Sequence, residues 1–173
     1  MSDHTDSFIA HLEALKARDR GALAALRHSL AFAPGSYPRA YPYVERFAGH
    51  AAHERDARRL ALYAVAGLFA LHPQQAAQSL GSALGELYRD GSGSIEGRFI
   101  ALLGADAENI VEYLRQAISL LAAKSIGLDY GCLLDDLTQW MNPGHDPGRL
   151  RQRWARDFYR AAQPTPDAPL ETA

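Results

Sequence analysis

The sequence predicts an all-α fold, a single-domain bundle of seven to nine helices. Three observations carry this expectation. Apolar residues recur at helical spacing along most of the chain. No segment sustains the period-two alternation of a half-buried strand. The periodic stretches are separated by short turn signals, as in bundles, and no internal repeat is present. The bundle is expected to span 1–162, with a proline-bearing tail at 163–173 expected to be disordered.

Phe8, Leu12 and Leu15, with Ile9 beside Phe8, place one stripe on a helix over 5–17. Asp19 suits the N-cap of a second helix, in which Leu23, Leu26 and Leu30 align. Arg20 and Arg27 share a face of that helix, with Lys16 and Arg18 just before it. Residues 33–47, APGSYPRAYPYVERF, break the pattern, because Pro34-Gly35 signals a turn and Pro38 and Pro42 forbid a regular strand. There Tyr37, Tyr41, Tyr43 and Phe47 interleave with Arg39 and Arg46. Such a segment either packs as an irregular loop on the core or offers rings to stack on bases.

A third helix is expected over 54–71, with Leu60, Tyr63, Ala64, Leu68 and Leu71 inward. After Pro73, a fourth carries Ala77, Leu80, Leu84 and Leu87 over 74–89. The loop DGSGSIEGR at 90–98 looks like a linker scar, but it reads as native: Ser94 suits an N-cap, and Ile95, Phe99, Leu102 and Leu103 continue as a helix that stops at Gly104. Asp106 is expected to cap the next helix, whose face of Ile110, Val111, Leu114, Ile118 and Leu121 runs to about Lys124 and is broken by Gly127. Asp129 caps another, with Tyr130, Leu133, Leu134, Leu137 and Trp140 inward. Asp146-Pro147 starts the last helix as N-cap and N1, and Leu150, Trp154 and Phe158 form its buried stripe. Leu121, Leu137, Trp140, Trp154 and Phe158 are expected to be buried, within three consecutive helices over 106–160.

Charge is polarised along the chain. The net charge of −2 argues against a generally basic nucleic-acid protein. Yet residues 16–59 hold nine basic side chains against four acidic, 60–145 hold four against nine, and 146–160 hold five against two. Arg149, Arg153, Arg156 and Arg160 recur at i, i+4, i+7 and i+11, a stripe from which Arg151 departs. Fixed positive charge on an anchored helix suits phosphate; it equally suits a solvated face.

Little points to catalysis. Asp135 and Asp136 diverge by about 100° on a helix and make a poor acid/base pair. No nucleophile elbow appears, and the glycines of 90–98 do not have the spacing of a nucleotide loop. His50, His53 and Glu54 lack the order of a zinc helix and a further ligand, so neither metal nor cofactor is expected. The single cysteine, Cys132, excludes an internal disulfide and reads as a small core residue. With neither a signal-like start nor a spanning apolar run, the chain is expected to be cytoplasmic and not membrane-bound.

Four stretches, RGALAALR (20–27), SIEGRFIALL (94–103), LRQAISLLAAKSIGLDYGCLLDDLTQW (114–140) and RLRQRWARDFY (149–159), together resemble the CasB family. That family is the small subunit of the type I-E CRISPR surveillance complex called Cascade. The resemblance covers most of 20–159 and cannot be aligned through 33–60. It implies an all-helical, non-catalytic subunit, present in two copies, that helps hold the guide RNA–target DNA hybrid and the displaced strand. Its implied partners are the other Cascade subunits, CRISPR RNA, target DNA and a second copy of itself. The basic residues it carries over as nucleic-acid-binding are Arg20, Arg27, Arg98, Arg115, Lys124, Arg149, Arg151, Arg153 and Arg156. His28 stands where the family often has a further basic residue. If the last helix folds beside the early ones, the two arginine stripes join into one groove. Arg27→Glu with Arg153→Glu is then expected to weaken binding with the thermal midpoint nearly unchanged.

Overall fold

The computed structural model describes residues 2–49, 53–91 and 93–164. Among them run nine α-helices: α1 (Asp3–Arg18), α2 (Arg20–His28), α3 (Tyr41–Ala48), α4 (Ala57–Leu71), α5 (Leu80–Arg89), α6 (Ile95–Leu103), α7 (Ile110–Ala123), α8 (Tyr130–Trp140) and α9 (Gly148–Ala161). The all-α expectation holds, and α7, α8 and α9 are the three consecutive helices expected over 106–160. His50 and residues 165–173, most of the expected tail, lie outside the described residues.

The centre is α4. Every residue from Ala61 to Ala70 is buried, and a helix apolar all round must be a core helix. Its small residues admit close neighbours. A Cβ on Gly67 would lie 2.7 Å from Leu30 Cδ2 and 3.2 Å from the Leu26 carbonyl, so α2 crosses there. Helices α1, α2, α3, α7 and α8 all pack on α4. The helix starts three residues later than expected because Asp56 is its cap, accepting from the Arg58 and Arg59 amides.

A second close pair is α5 with α9. Gly81 and Gly85 lie one turn apart on α5, and a Cβ on either would collide with the α9 backbone, at the Trp154 and Phe158 carbonyls. The rings of α9 then fill the core. Phe158 stacks on Phe99 at 4.2 Å, and Trp154 stacks on Trp140 at 5.0 Å. Leu121, Leu137, Trp140, Trp154 and Phe158 are all buried, as expected.

Residues 74–79 are not helical, which corrects the reading of 74–89 as one helix. Helix α5 begins only after Ser79, whose hydroxyl accepts from the Ser82 amide. The preceding segment pairs with 125–129 instead: the Ala76 amide donates to the Leu128 carbonyl at 3.0 Å, and the Leu128 amide to the Gln74 carbonyl at 3.2 Å. Gln74 and Gln78 reinforce this, their side-chain amides donating to the Ser125 and Gly127 carbonyls, both at 2.8 Å. Gln75 joins them, donating to the Asp129 carboxylate and accepting from the Tyr130 amide, so the three glutamines clamp a loop rather than turn a helix.

Three other boundaries differ. Residues 41–48 form α3, since Pro42 sits in its first turn, where its missing N–H costs nothing. Asp106 caps the turn before α7, accepting from the Glu108 and Asn109 amides, so the helix begins at Ile110. Helix α7 ends at Ala123, close to the expected Lys124, but the residue that breaks it is Ser125 and not Gly127: Ser125 has φ 55°, and the Ile126 amide closes back on the Leu121 carbonyl. Gly127 is required by the clamp, where a Cβ would lie 2.8 Å from the Gln74 carbonyl. Among the described residues, no helix is long and apolar enough to cross a membrane.

Candidate nucleic-acid interface

The strongest charge feature is α9. Its start is held by Asp146, whose carboxylate accepts from the Gly148 amide at 3.0 Å; Pro147 is therefore the cap position rather than N1. Leu150, Trp154 and Phe158 turn inward. At about 100° per residue, Arg149, Arg156 and Arg160 fall about 140° from that stripe, and all three are exposed. None has an ion-pair partner among the described residues.

Arg151 and Arg153 behave differently. Arg151 lies at the edge of the buried face, donates to the Ala105 carbonyl at 3.3 Å, and sits over the Trp140 ring at 5.3 Å. Arg153 is paired with Asp136 of α8. Asp136 is 4% exposed and also accepts from Trp154 Nε1 at 2.7 Å. Burial pushes the Asp136 carboxyl above its ordinary value, against the two hydrogen bonds that favour its charge. Burial is the largest influence on Arg153 and disfavours its charge, but the hydrogen bond to Asp136 and the attraction of the nearby negative groups together outweigh it, and the guanidinium is raised above its ordinary value.

The adjacent carboxylates therefore divide their work between two helix contacts. Asp136 ties α8 to α9, while Asp135 accepts from Thr5 Oγ1 at 2.8 Å and ties α8 to α1. The expectation that charge reversal at Arg153 leaves stability nearly unchanged is overturned by this geometry. Burial, and then the charge of Asp136, push the Cys132 thiol up to about 11, which favours its protonated form at neutral pH.

On α2, the Asp19 carboxylate accepts from the Ala22 amide at 2.9 Å, as expected. Arg20 and Arg27 are exposed about 20° apart on one face. Helix α2 packs on α4 and α1, however, whereas α9 lies along α5. The two arginine stripes are carried by helices with different principal neighbours, so the single groove expected from the sequence is not formed by α2 and α9 packing side by side. Arg98 on α6 lines a small cleft with Tyr113 and Gln116 of α7. Arg115 is exposed, 3.7 Å from Glu112. Lys124 is exposed at the end of α7.

The segment 33–47 proves to be both packing and surface. Arg46 lies over Phe47, which packs edge-on against Phe8 at 5.0 Å. Arg59 pairs with Glu45 at 3.1 Å and covers the Tyr63 ring; Tyr63 donates to the same carboxylate. The Arg59 and Tyr63 bonds hold Glu45 below the usual carboxylate range. Phe32 and Tyr37 stack with centroids 4.9 Å apart, and His28 lies against both. Nothing in the sequence pointed to the Glu45–Arg59 pairing, which joins residues on α3 and α4.

Residues 22–159 match the family model described as CRISPR-associated protein Cse2. A protein of that description from Thermus thermophilus is 45% identical over 142 residues, which covers 81% of this chain and 79% of the relative. Among solved structures, CasB from Thermus thermophilus matches with a TM-score of 0.77 at 42% identity, covering 93% of this chain and 100% of that one. A chain of a CRISPR RNA-guided surveillance complex matches with a TM-score of 0.77 at 26% identity, covering 92% and 93% respectively.

Proposed function

The chain belongs to the Cse2 family of CRISPR-associated proteins, and from that premise we propose that it is a non-catalytic, nucleic-acid-binding subunit of a CRISPR RNA-guided surveillance complex. Its partners are the other subunits, CRISPR RNA, target DNA and a second copy of itself. It grips the guide RNA–target DNA hybrid and the displaced strand by their phosphates. Base pairing supplies the sequence information in such a complex, so the protein needs position and charge rather than base readout.

The observation that carries this reading is the outer face of α9. Arg149, Arg156 and Arg160 are exposed, lack ion-pair partners among the described residues, and stand on a helix fixed by three buried side chains. Arg20, Arg27, Arg98 and Lys124 add exposed charge elsewhere. Arg115 contributes through a weak surface pair. Arg151 and Arg153 act chiefly by holding α9, with Arg153 also adding to the local field.

A salt titration tests it. Affinity for duplex DNA, single-stranded DNA and RNA is expected to be independent of sequence and to fall linearly in log affinity against log salt. Each phosphate contact contributes about −0.9 to the duplex slope. Arg149→Glu with Arg156→Glu lowers affinity and flattens the slope. A flat response in the parent protein overturns phosphate binding and leaves a helical protein-interaction module.

A further inference from the structure

Residues 20–44 hold Arg20, Arg27 and Arg39 and no acidic side chain. Within this stretch three rings gather at the rim of the core, with Tyr37 packed against it and His28 and Phe32 exposed. His28 lies 5.7 Å from Phe32 and 5.2 Å from Tyr37, and Phe32 and Tyr37 stack at 12°. Phe32 has one face on Tyr37 and still keeps 47% of its surface in solvent. Aromatic rings in a helical protein are normally spent on the core, as Phe99, Phe158 and Trp154 are here.

The cluster is also preorganised. The Ser36 amide donates to the Ala33 carbonyl at 3.1 Å, and the Ala40 amide to the Tyr37 carbonyl at 3.0 Å. Arg59 reaches across from α4 to the Gly35 carbonyl at 3.5 Å. Pro34 fixes a φ angle between Phe32 and Tyr37, and Pro38 another between Tyr37 and α3. A ring held this way loses little freedom when something stacks on it.

We propose that His28, Phe32 and Tyr37 form a stacking platform for one unpaired nucleobase of a single strand, with Arg27 and Arg39 on either side in sequence to take the adjoining phosphates. The platform rests on the nucleic-acid reading above and adds to it a contact that duplex cannot make, because bases in a duplex keep both faces stacked. Stacking on a ring is tolerant of base identity, which fits a strand of arbitrary sequence. The stretch that carries the rings has exposed Arg27 and Arg39 and no acidic side chain of its own, and Glu45, which the fold brings near Gly35, is paired with Arg59; this favours a polyanion over an acidic peptide as the occupant.

The test uses the full chain with three ligands: an oligothymidine strand, the same strand with a run of abasic sites, and a duplex. Phe32→Ala is expected to weaken oligothymidine binding by about ten-fold, the loss of one base stacked on an aromatic ring. It leaves the abasic strand and the duplex bound as tightly as the parent does. Phe32→Trp retains affinity, and its fluorescence is quenched by oligothymidine but not by the abasic strand; Trp140 and Trp154 are 2% and 0% exposed and report little. Equal quenching by both strands overturns the platform, as does unchanged oligothymidine affinity in Phe32→Ala. If Arg27→Glu weakens both strands while Phe32→Ala weakens neither, only the platform falls. If the parent binds no strand, the nucleic-acid reading falls and takes the platform with it.

Discussion

Glutamate placed singly at Arg149, Arg153 and Arg156 separates charge from architecture along one helix. Arg153 is the only one of the three paired with a buried carboxylate, and Asp136 has 5% of its side chain exposed. Breaking a buried pair by removing one partner costs about 3–5 kcal/mol. Arg153 itself is 44% exposed, so water screens part of the loss, and about 2–3 kcal/mol remains. In a chain of this size each kcal/mol moves the thermal midpoint by about 2–4 °C. Arg153→Glu therefore lowers it by about 4–12 °C. Arg149→Glu and Arg156→Glu stay within about ±0.5 kcal/mol, or roughly 2 °C. Trp154→Ala exceeds all three, since losing a buried aromatic costs about 3–5 kcal/mol and also removes an Asp136 donor. Thermal melts followed by circular dichroism, paired with DNA titrations, read both effects. All three charge reversals weaken binding, but only Arg153→Glu also destabilises. An Arg153→Glu protein that melts with Arg149→Glu would refute the buried-pair reasoning.

Two further outcomes follow from the packing and the charge network. Alanine at Gly85 forces α9 away from α5, because its Cβ meets the Phe158 carbonyl and lies 2.9 Å from Ala161 Cβ, and it is expected to cost about 1–3 kcal/mol; alanine at Gly97 of α6, where nothing lies within 4 Å, should instead stabilise by up to about 1 kcal/mol, and urea midpoints of equal sign would show that the close approach is absent. Glu45 has a folded-state pKa below its ordinary 4.5, so its contribution is present above 4.5 and lost as pH falls through the lowered value; the midpoint gap between the parent and Glu45→Gln should narrow on acidification below 4.5, and a gap constant with pH would exclude this linkage.

What was legible in the sequence was whatever depended on one helix at a time. Asp19 and Asp129 cap as their positions imply, and the stripe of Leu150, Trp154 and Phe158 is buried as its spacing implies. Arg151 was separable from the outer stripe by angle alone. What was not legible depended on two segments far apart in the chain. Gln74 and Gln78 have helical neighbours in sequence, but their carbonyl partners lie at 125–127. Pro42 argued against a strand and said nothing against the first turn of a helix. Adjacency showed that Asp135 and Asp136 point apart on their helix, but not that one binds α1 and the other α9. The arginines show the same limit: periodicity aligned Arg149, Arg153, Arg156 and Arg160, but only the position of Asp136 distinguishes Arg153 from the rest.

That distinction explains how α9 presents its charge. An apolar stripe tolerates some rotation of a helix about its own axis, because dispersion contacts are not directional. Arg151 lies about 60° to one side of the stripe centre and Arg153 about 100° to the other. Each makes a directional bond into the body of the protein, Arg151 to the Ala105 carbonyl and Arg153 to Asp136. Trp154 Nε1 adds a third bond to the same carboxylate from within the stripe. Rotation in either sense stretches one of these bonds, so the helix is pinned from both edges. Arg149, Arg156 and Arg160 then have no direction left but outward. The helix carries five arginines, but two of them fix its rotation so that the other three point into solvent before any ligand arrives, and the backbone-ordering cost of aiming those charges is met on folding rather than on binding.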